Sequence, residues 1–169
     1  MELNMKRTPS QRRSGFTLIE LLIVITIIAI IAAIAIPNLL SSRMSANEAS
    51  CIGSIRTVIS AEAAYRSSNN QYGTLTQLQG SNLLDPALGG ANNSASPKSG
   101  YYFDLELVAP GNTQFYIFGQ PISMGGDRVF YSDETGVIWM GSSGDTEPSS
   151  DMSGTQPGGS TSDWSQIGN

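Results

Sequence analysis

The chain has 169 residues, 40% of them hydrophobic, with nine Lys and Arg against fourteen Asp and Glu, one cysteine and no histidine, for a formal net charge of -5. The missing histidine excludes Ser-His-Asp and Cys-His catalytic arrangements and every His-based zinc site, and the lone Cys51 excludes an intrachain disulfide. An acidic balance argues against nonspecific nucleic-acid binding by a single subunit, and the length has room for one modest domain.

Four basic residues, Lys6, Arg7, Arg12 and Arg13, precede the stretch Gly15-Phe16-Thr17-Leu18-Ile19-Glu20, and an almost unbroken apolar run follows from Leu21 to Ile36. Phe16 to Ile36 has the length needed to cross a bilayer core, and the basic flank would hold the N-terminus in the cytoplasm. A secretory signal peptide shares the basic and apolar regions, with Ala33-Ile34-Ala35 imitating a cleavage site. It fits poorly, because Glu20 heads the apolar region and a cut after Ala35 would behead a helical pattern. A buried helix of a soluble protein fits no better, since nothing else in the chain is apolar enough to surround it. An ionised Glu20 in hydrocarbon costs roughly 2.5 kcal/mol or more even on lenient scales, so it calls for a partner. The obvious partner is an amine.

The pattern predicts a long helix from near Phe16 to about Ser68, apolar all round in its first half. Pro37 removes one hydrogen bond and should bend or loosen it. Beyond Pro37 the helix becomes one-sided: Leu40, Met44, Ile52, Ile55 and Ile59 fall at helical spacing, and Arg43, Asn47, Glu48, Arg56 and Glu62 fall largely elsewhere. Cys51 reads as a small packing residue on this helix, with an intermolecular bridge or a lipidated thiol as the alternatives. Residues 69–99, rich in Gly, Asn, Ser and Gln, read as a loop with one short helix, anchored by Leu75, Leu78, Leu83, Leu84 and Leu88; Asn92-Asn93-Ser94 matches a glycosylation acceptor pattern.

Four aromatic and β-branched runs follow: Gly100 to Val108, Thr113 to Gln120, Arg128 to Ser132 and Gly136 to Met140. Pro110-Gly111-Asn112 and Asp133-Glu134-Thr135-Gly136 carry hairpin chemistry, which predicts an antiparallel meander of about four strands covering the helix stripe, an α+β fold. The tail from Gly141 to Asn169 is Gly, Ser, Thr and Pro rich and cannot order itself unaided, although Trp164 and Ile167 could tack it down. Asp145, Glu147, Asp151 and Asp163 are oxygen ligands of the kind calcium prefers, but their loose spacing favours a solvated acidic tail. No cofactor is expected.

Arg12-Arg13-Ser14-Gly15-Phe16-Thr17-Leu18-Ile19-Glu20-Leu21-Leu22-Ile23-Val24-Ile25, continuing to Ala35-Ile36-Pro37-Asn38-Leu39, resembles the N-terminus of a type IV pilin or pseudopilin precursor. The resemblance implies a leader of residues 1–15 cut after Gly15 by a prepilin peptidase, which also methylates the new terminus at Phe16. Glu20 would then neutralise the terminal amine of a neighbouring subunit during assembly. Losing the leader takes four basic residues and Glu2, moving the net charge from -5 to -8. The expected organisation is an assembly helix over 16–37 that protrudes from the head, its amphipathic half over 38–68, a helix-to-sheet loop over 69–99, a sheet over 100–140 and an acidic tail over 141–169. Pro37 matches a family position beside a stretch that melts on assembly.

The implied partners are further copies in a helical homopolymer, the peptidase and methylase, an inner-membrane platform and assembly ATPases. The implied locations are the inner membrane for the precursor and the cell surface for the filament. The missing C-terminal disulfide is a departure from many pilins. Two other readings stand beside a pilin: a major pseudopilin of type II secretion, and a membrane-anchored adhesin or binding module that never polymerises.

Overall fold

The computed structural model describes residues 15–108, 110–142 and 164–167. Two compact units divide between Leu39 and Leu40, and one helix, α1 (Leu18–Asn69), runs through both. It starts two residues later and ends one later than the sequence suggests.

In the second unit, α1 buries Cys51, Ser54, Ile55, Val58, Ala61, Glu62 and Tyr65. These positions recur at three- and four-residue intervals, so they form one stripe of the helix. The stripe differs from the expected one in two ways. Leu40, Met44, Ile52 and Ile59 are only half-buried, leaving Ile55 as the buried member of the expected set, and Glu62 sits within the stripe, fully buried.

Two short helices follow, where one was expected. In α2 (Leu75–Gly80), Thr74 and Gln77 form a reciprocal capping box, which satisfies two backbone donors at the helix start. In α3 (Pro86–Gly89), the Asp85 side chain accepts from the backbone N–H groups of Ala87 and Leu88, and Pro86 sets the first turn. Leu75, Leu78, Leu84 and Leu88 enter the core, while Leu83 is half-buried.

The sheet is an antiparallel meander whose spatial order equals its chain order: β1 (Tyr101–Val108), β2 (Gln114–Pro121), β3 (Arg128–Asp133), β4 (Ile138–Ser142) and β5 (Ser165–Gln166). The register pairs Tyr101 with Pro121, Gly119 with Phe130, Ser132 with Ile138 and Trp139 with Gln166. Gly111 and Asn112 take φ +87 and +52 in the first hairpin, and Gly136 takes φ +76 in the third connection. There the Asp133 carboxylate accepts from the Thr135 N–H at 2.9 Å and also from its hydroxyl. Alternation along the strands sends Tyr101, Phe103, Phe115, Ile117, Phe130 and Ile138 into the same core as the α1 stripe. Phe118, Val129 and Tyr131 form a second cluster, closed by Trp164. The Trp164 ring lies 6.1 Å from Phe118 and 6.4 Å from Tyr131. Trp164 therefore anchors the C-terminal segment, and β5 is the strand that the sequence reading lacked.

Helix and sheet approach closely at Gly119. A Cβ added there would lie 2.7 Å from Cys51 Sγ, a separation that forces one group to move. Cys51 is 1% exposed, and burial, followed by the nearby Glu48 charge, pushes its thiol well above the usual range. Both observations agree with a packing role. Gly119→Ala should destabilise the full chain by about 1–3 kcal/mol through overpacking. Adding Cys51→Ala should recover more than half of that loss in denaturant melts, since contacting residues couple. Equal losses in the single and double variants would refute the contact.

Glu62 is the buried acid of the core. Its Oε2 accepts from the Gly73 N–H at 2.9 Å, and its Oε1 is buried without a partner among the described residues. The nearest helical cation by sequence turns elsewhere: Arg66 donates to the Tyr72 hydroxyl at 2.7 Å, with its guanidinium carbon 4.8 Å from the ring centroid. Burial raises the Glu62 pKa from 4.5 to about 7, opposed in part by the Gly73 N–H. A carboxyl raised in the fold binds more protons than its unfolded counterpart between these values, so stability falls as pH rises through that window. The loss should approach about 3 kcal/mol above pH 7. Glu62→Gln should flatten the dependence, leaving the variant more stable than the parent at pH 8 and not at pH 4, as read by denaturant midpoints.

Candidate assembly helix and processing site

The sequence-predicted site residues lie together at the start of the chain's apolar segment. Gly15 is exposed in open space, with no atom within 4 Å of an added Cβ. Phe16 is 81% exposed. Thr17 stands just before α1, and its Oγ1 accepts from the Glu20 N–H at 3.2 Å, while its carbonyl accepts from the Leu21 N–H at 3.3 Å. Thr17-Leu18-Ile19-Glu20 is thus half of a capping box, a signal present in the sequence and overlooked there.

The cap fixes the position of Glu20. It falls in the first turn of α1, where the unpaired N–H groups favour a negative charge. Among the described residues no cation pairs with it; the ion pairs there are Lys98 with Asp85 and Arg128 with Glu48. A peptide cut after Gly15 would leave a free amine two residues ahead of the helix and within one helical turn of this carboxylate in sequence.

From Leu18 to Ile36 every large side chain of α1 is exposed. Burying a single such side chain is worth about 1.5–3 kcal/mol, so the whole segment represents tens of kcal/mol of unfavourable hydration. Its one hydroxyl, Thr26 Oγ1, donates back to the Leu22 carbonyl at 2.8 Å and so needs no external partner. Among the described residues this is the one helix long and apolar enough to cross a membrane, and its apolar window is 0% buried. The helix continues through Pro37, whose missing N–H leaves the Ala33 carbonyl without its usual donor. The proline does not end the helix.

The remaining candidates, Asp145, Glu147, Asp151 and Asp163, lie outside the described residues. Among the described residues no group of three or more Cys, Asp or Glu is placed to hold a metal ion.

Residues 10–36 match the prokaryotic N-terminal methylation motif. The chain is 50% identical over 58 residues to the type IV wide pilus major component PilA4 of Thermus thermophilus, covering 34% of this chain and 44% of that protein. It is 36% identical over 67 residues to the type II secretion system core protein G of Aeromonas hydrophila, covering 40% of this chain and 47% of that protein. In both alignments the chain spans less than half the length of the relative. A longer alignment, 31% identical over 149 residues, joins it to core protein G of Klebsiella michiganensis and covers 79% of this chain and 96% of that protein. This alignment is long enough to take in parts of both the apolar helix and the head, and on its extent the chain belongs to the type IV pilin and pseudopilin superfamily.

Proposed function

We propose that this chain is the precursor of a structural subunit in a type IV pilus-like surface filament. In this reading the bond between Gly15 and Phe16 is cut by a prepilin peptidase, and Phe16 becomes the N-methylated terminus. The apolar half of α1 then passes from the bilayer into a bundle of identical helices, handed on by an inner-membrane platform and assembly ATPases. The precursor sits with its N-terminus in the cytoplasm and its head outside. Glu20 neutralises the terminal amine of a neighbouring copy. A desolvated charge left without its partner costs on the order of 3–5 kcal/mol, so a subunit docked in the wrong register is rejected.

The observation that carries this reading is the bare helix itself: an apolar surface exposed from Leu18 to Ile36, with one carboxylate in its first turn. Loosening at Pro37 would let the helix lengthen as subunits pack. The 50% identity to a wide-pilus component supports the pilin form. A second reading, a pseudopilin of type II secretion, is favoured by the alignments to core protein G that extend over the head.

Electron microscopy of material sheared from the native cells, with mass spectrometry of its N-terminal peptide, separates the two. Long extracellular fibres whose subunit begins at N-methylated Phe16 are expected. A processed chain confined to the inner membrane would replace the pilin with the pseudopilin, and a chain retaining residues 1–15 would overturn both in favour of a non-polymerising anchored module. Glu20→Ala should leave cleavage intact while lowering filament number at least tenfold. Parental filament numbers from that variant would refute the charge pair.

A further inference from the structure

β1 lies at one edge of the sheet, with β2 on its other side. The N–H and C=O of a strand residue point to one side of the strand, and successive residues alternate. The register on β2 runs unbroken from Tyr101 to Val108, so one set of residues faces outward along the whole of β1. That set is Tyr101, Phe103, Leu105 and Leu107, as the bonds at the start of the edge show. The Lys98 N–H donates to the Tyr101 carbonyl at 2.8 Å, the Tyr101 N–H to the Lys98 carbonyl at 3.1 Å, and the Phe103 N–H to the Ala91 carbonyl at 2.7 Å. The cover stops there. Among the described residues no backbone group pairs with the Phe103 carbonyl, with the N–H and carbonyl of Leu105 or with the Leu107 N–H.

The two faces of this open stretch differ in chemistry. Leu105 and Leu107 are half-buried and pack against the core. On the opposite face stand Asp104, half-buried, and Glu106, exposed, about 6.6 Å apart along the strand. The Glu106 carboxylate accepts from the Tyr116 hydroxyl at 2.8 Å, which holds it on that face. β1 and β2 contain no Lys or Arg. The edge is therefore acidic on one face and apolar on the other.

We propose that the open edge of β1 receives an extended segment of a partner protein in which basic and apolar residues alternate. Cross-strand neighbours share a face, so basic side chains of the added strand would lie opposite Asp104 and Glu106 and apolar ones beside Leu105 and Leu107. Backbone pairing supplies the affinity and the alternation the specificity. A second copy is a poor occupant. β1 laid against β1 sets the acids of one chain against those of the other, and like charges across a strand pair repel. Nor do the described strands offer a basic row, since the one base in β1 to β5 is Arg128, which pairs with Glu48. The surface belongs to the head and makes no use of the apolar half of α1, so the proposal goes beyond the filament reading and does not depend on it.

The test uses the full chain in a neutral detergent, with amide hydrogen exchange followed by NMR. The probe is a synthetic heptapeptide alternating lysine and valine, and its control alternates glutamate and valine. The lysine peptide should slow exchange at the outward amides of Leu105 and Leu107 at least tenfold, and change the Asp104 and Glu106 amides, which face β2, less than twofold. The glutamate peptide should do neither. No slowing with the lysine peptide, equal slowing with both peptides, or slowing centred elsewhere overturns the proposal; the first outcome would make the acids a guard on the edge and nothing more. Two variants separate backbone from charge. Leu107→Pro removes an outward donor without touching the bonds to β2 and should abolish the slowing at Leu105. Glu106→Lys, at an exposed position, keeps the backbone edge and should reduce the slowing at least threefold. Parental slowing in Leu107→Pro overturns strand addition, and parental slowing in Glu106→Lys overturns the basic partner, whether or not the proline variant folds.

Discussion

Everything in this molecule depends on a helix that cannot be left in water. From Leu18 to Ile36 the first half of α1 shows its large apolar side chains on every side, and no face is reserved for solvent. Such a segment is stable in two environments, lipid or the company of other apolar helices. The head contributes the opposite property, a closed core in which one stripe of the same helix lies against five strands. A single helix thus serves two solvents, and the change from all-round to one-sided apolarity near Pro37 marks where one gives way to the other.

The head holds itself together without a covalent staple. Cys51 is spent on close packing against Gly119, and the C-terminal segment is tied by aromatic contact and two residues of strand pairing. Trp164 supplies most of that tie through Phe118 and Tyr131. On the other side, the Gly73 N–H held by Glu62 draws the chain leaving α1 back onto the helix, and Tyr72 continues the attachment through an edge-on ring contact with Phe115 at 4.7 Å.

The long helix and four of the strands were legible because their patterns are strong. The apolar run and the change of periodicity after Pro37 give α1 to within two residues at either end, and the aromatic runs give β1 to β4 to within about two. What was not legible has a physical reason in each case. Glu62 breaks the binary pattern, since a charged residue is assigned to solvent unless a partner such as Gly73 can be foreseen eleven residues away. β5 has two polar residues, Ser165 and Gln166, and exists through the partner it finds in Trp139 and Met140. The turn of α3 was written in Asp85-Pro86, but four residues are too few to show a period. At the start of the chain, Gly15, Phe16 and Glu20 stood out by residue type, and the Thr17 cap was readable from the Thr-x-x-Glu spacing.

The agreement between spatial and chain order in the sheet has a consequence for how the head comes to exist. Each strand from β2 to β4 pairs with the one translated just before it, so contacts close over short loops and little chain entropy is lost before they form. Local strand pairing of this kind favours fast formation of the sheet, and no oxidation step stands in the way. In the proposed filament reading, a head translocated while its helix is still held in the bilayer would zip up hairpin by hairpin, with the Trp164 contact among the last to close. Subunits would reach the assembly point already folded, keeping transient strand edges away from one another on a crowded membrane surface.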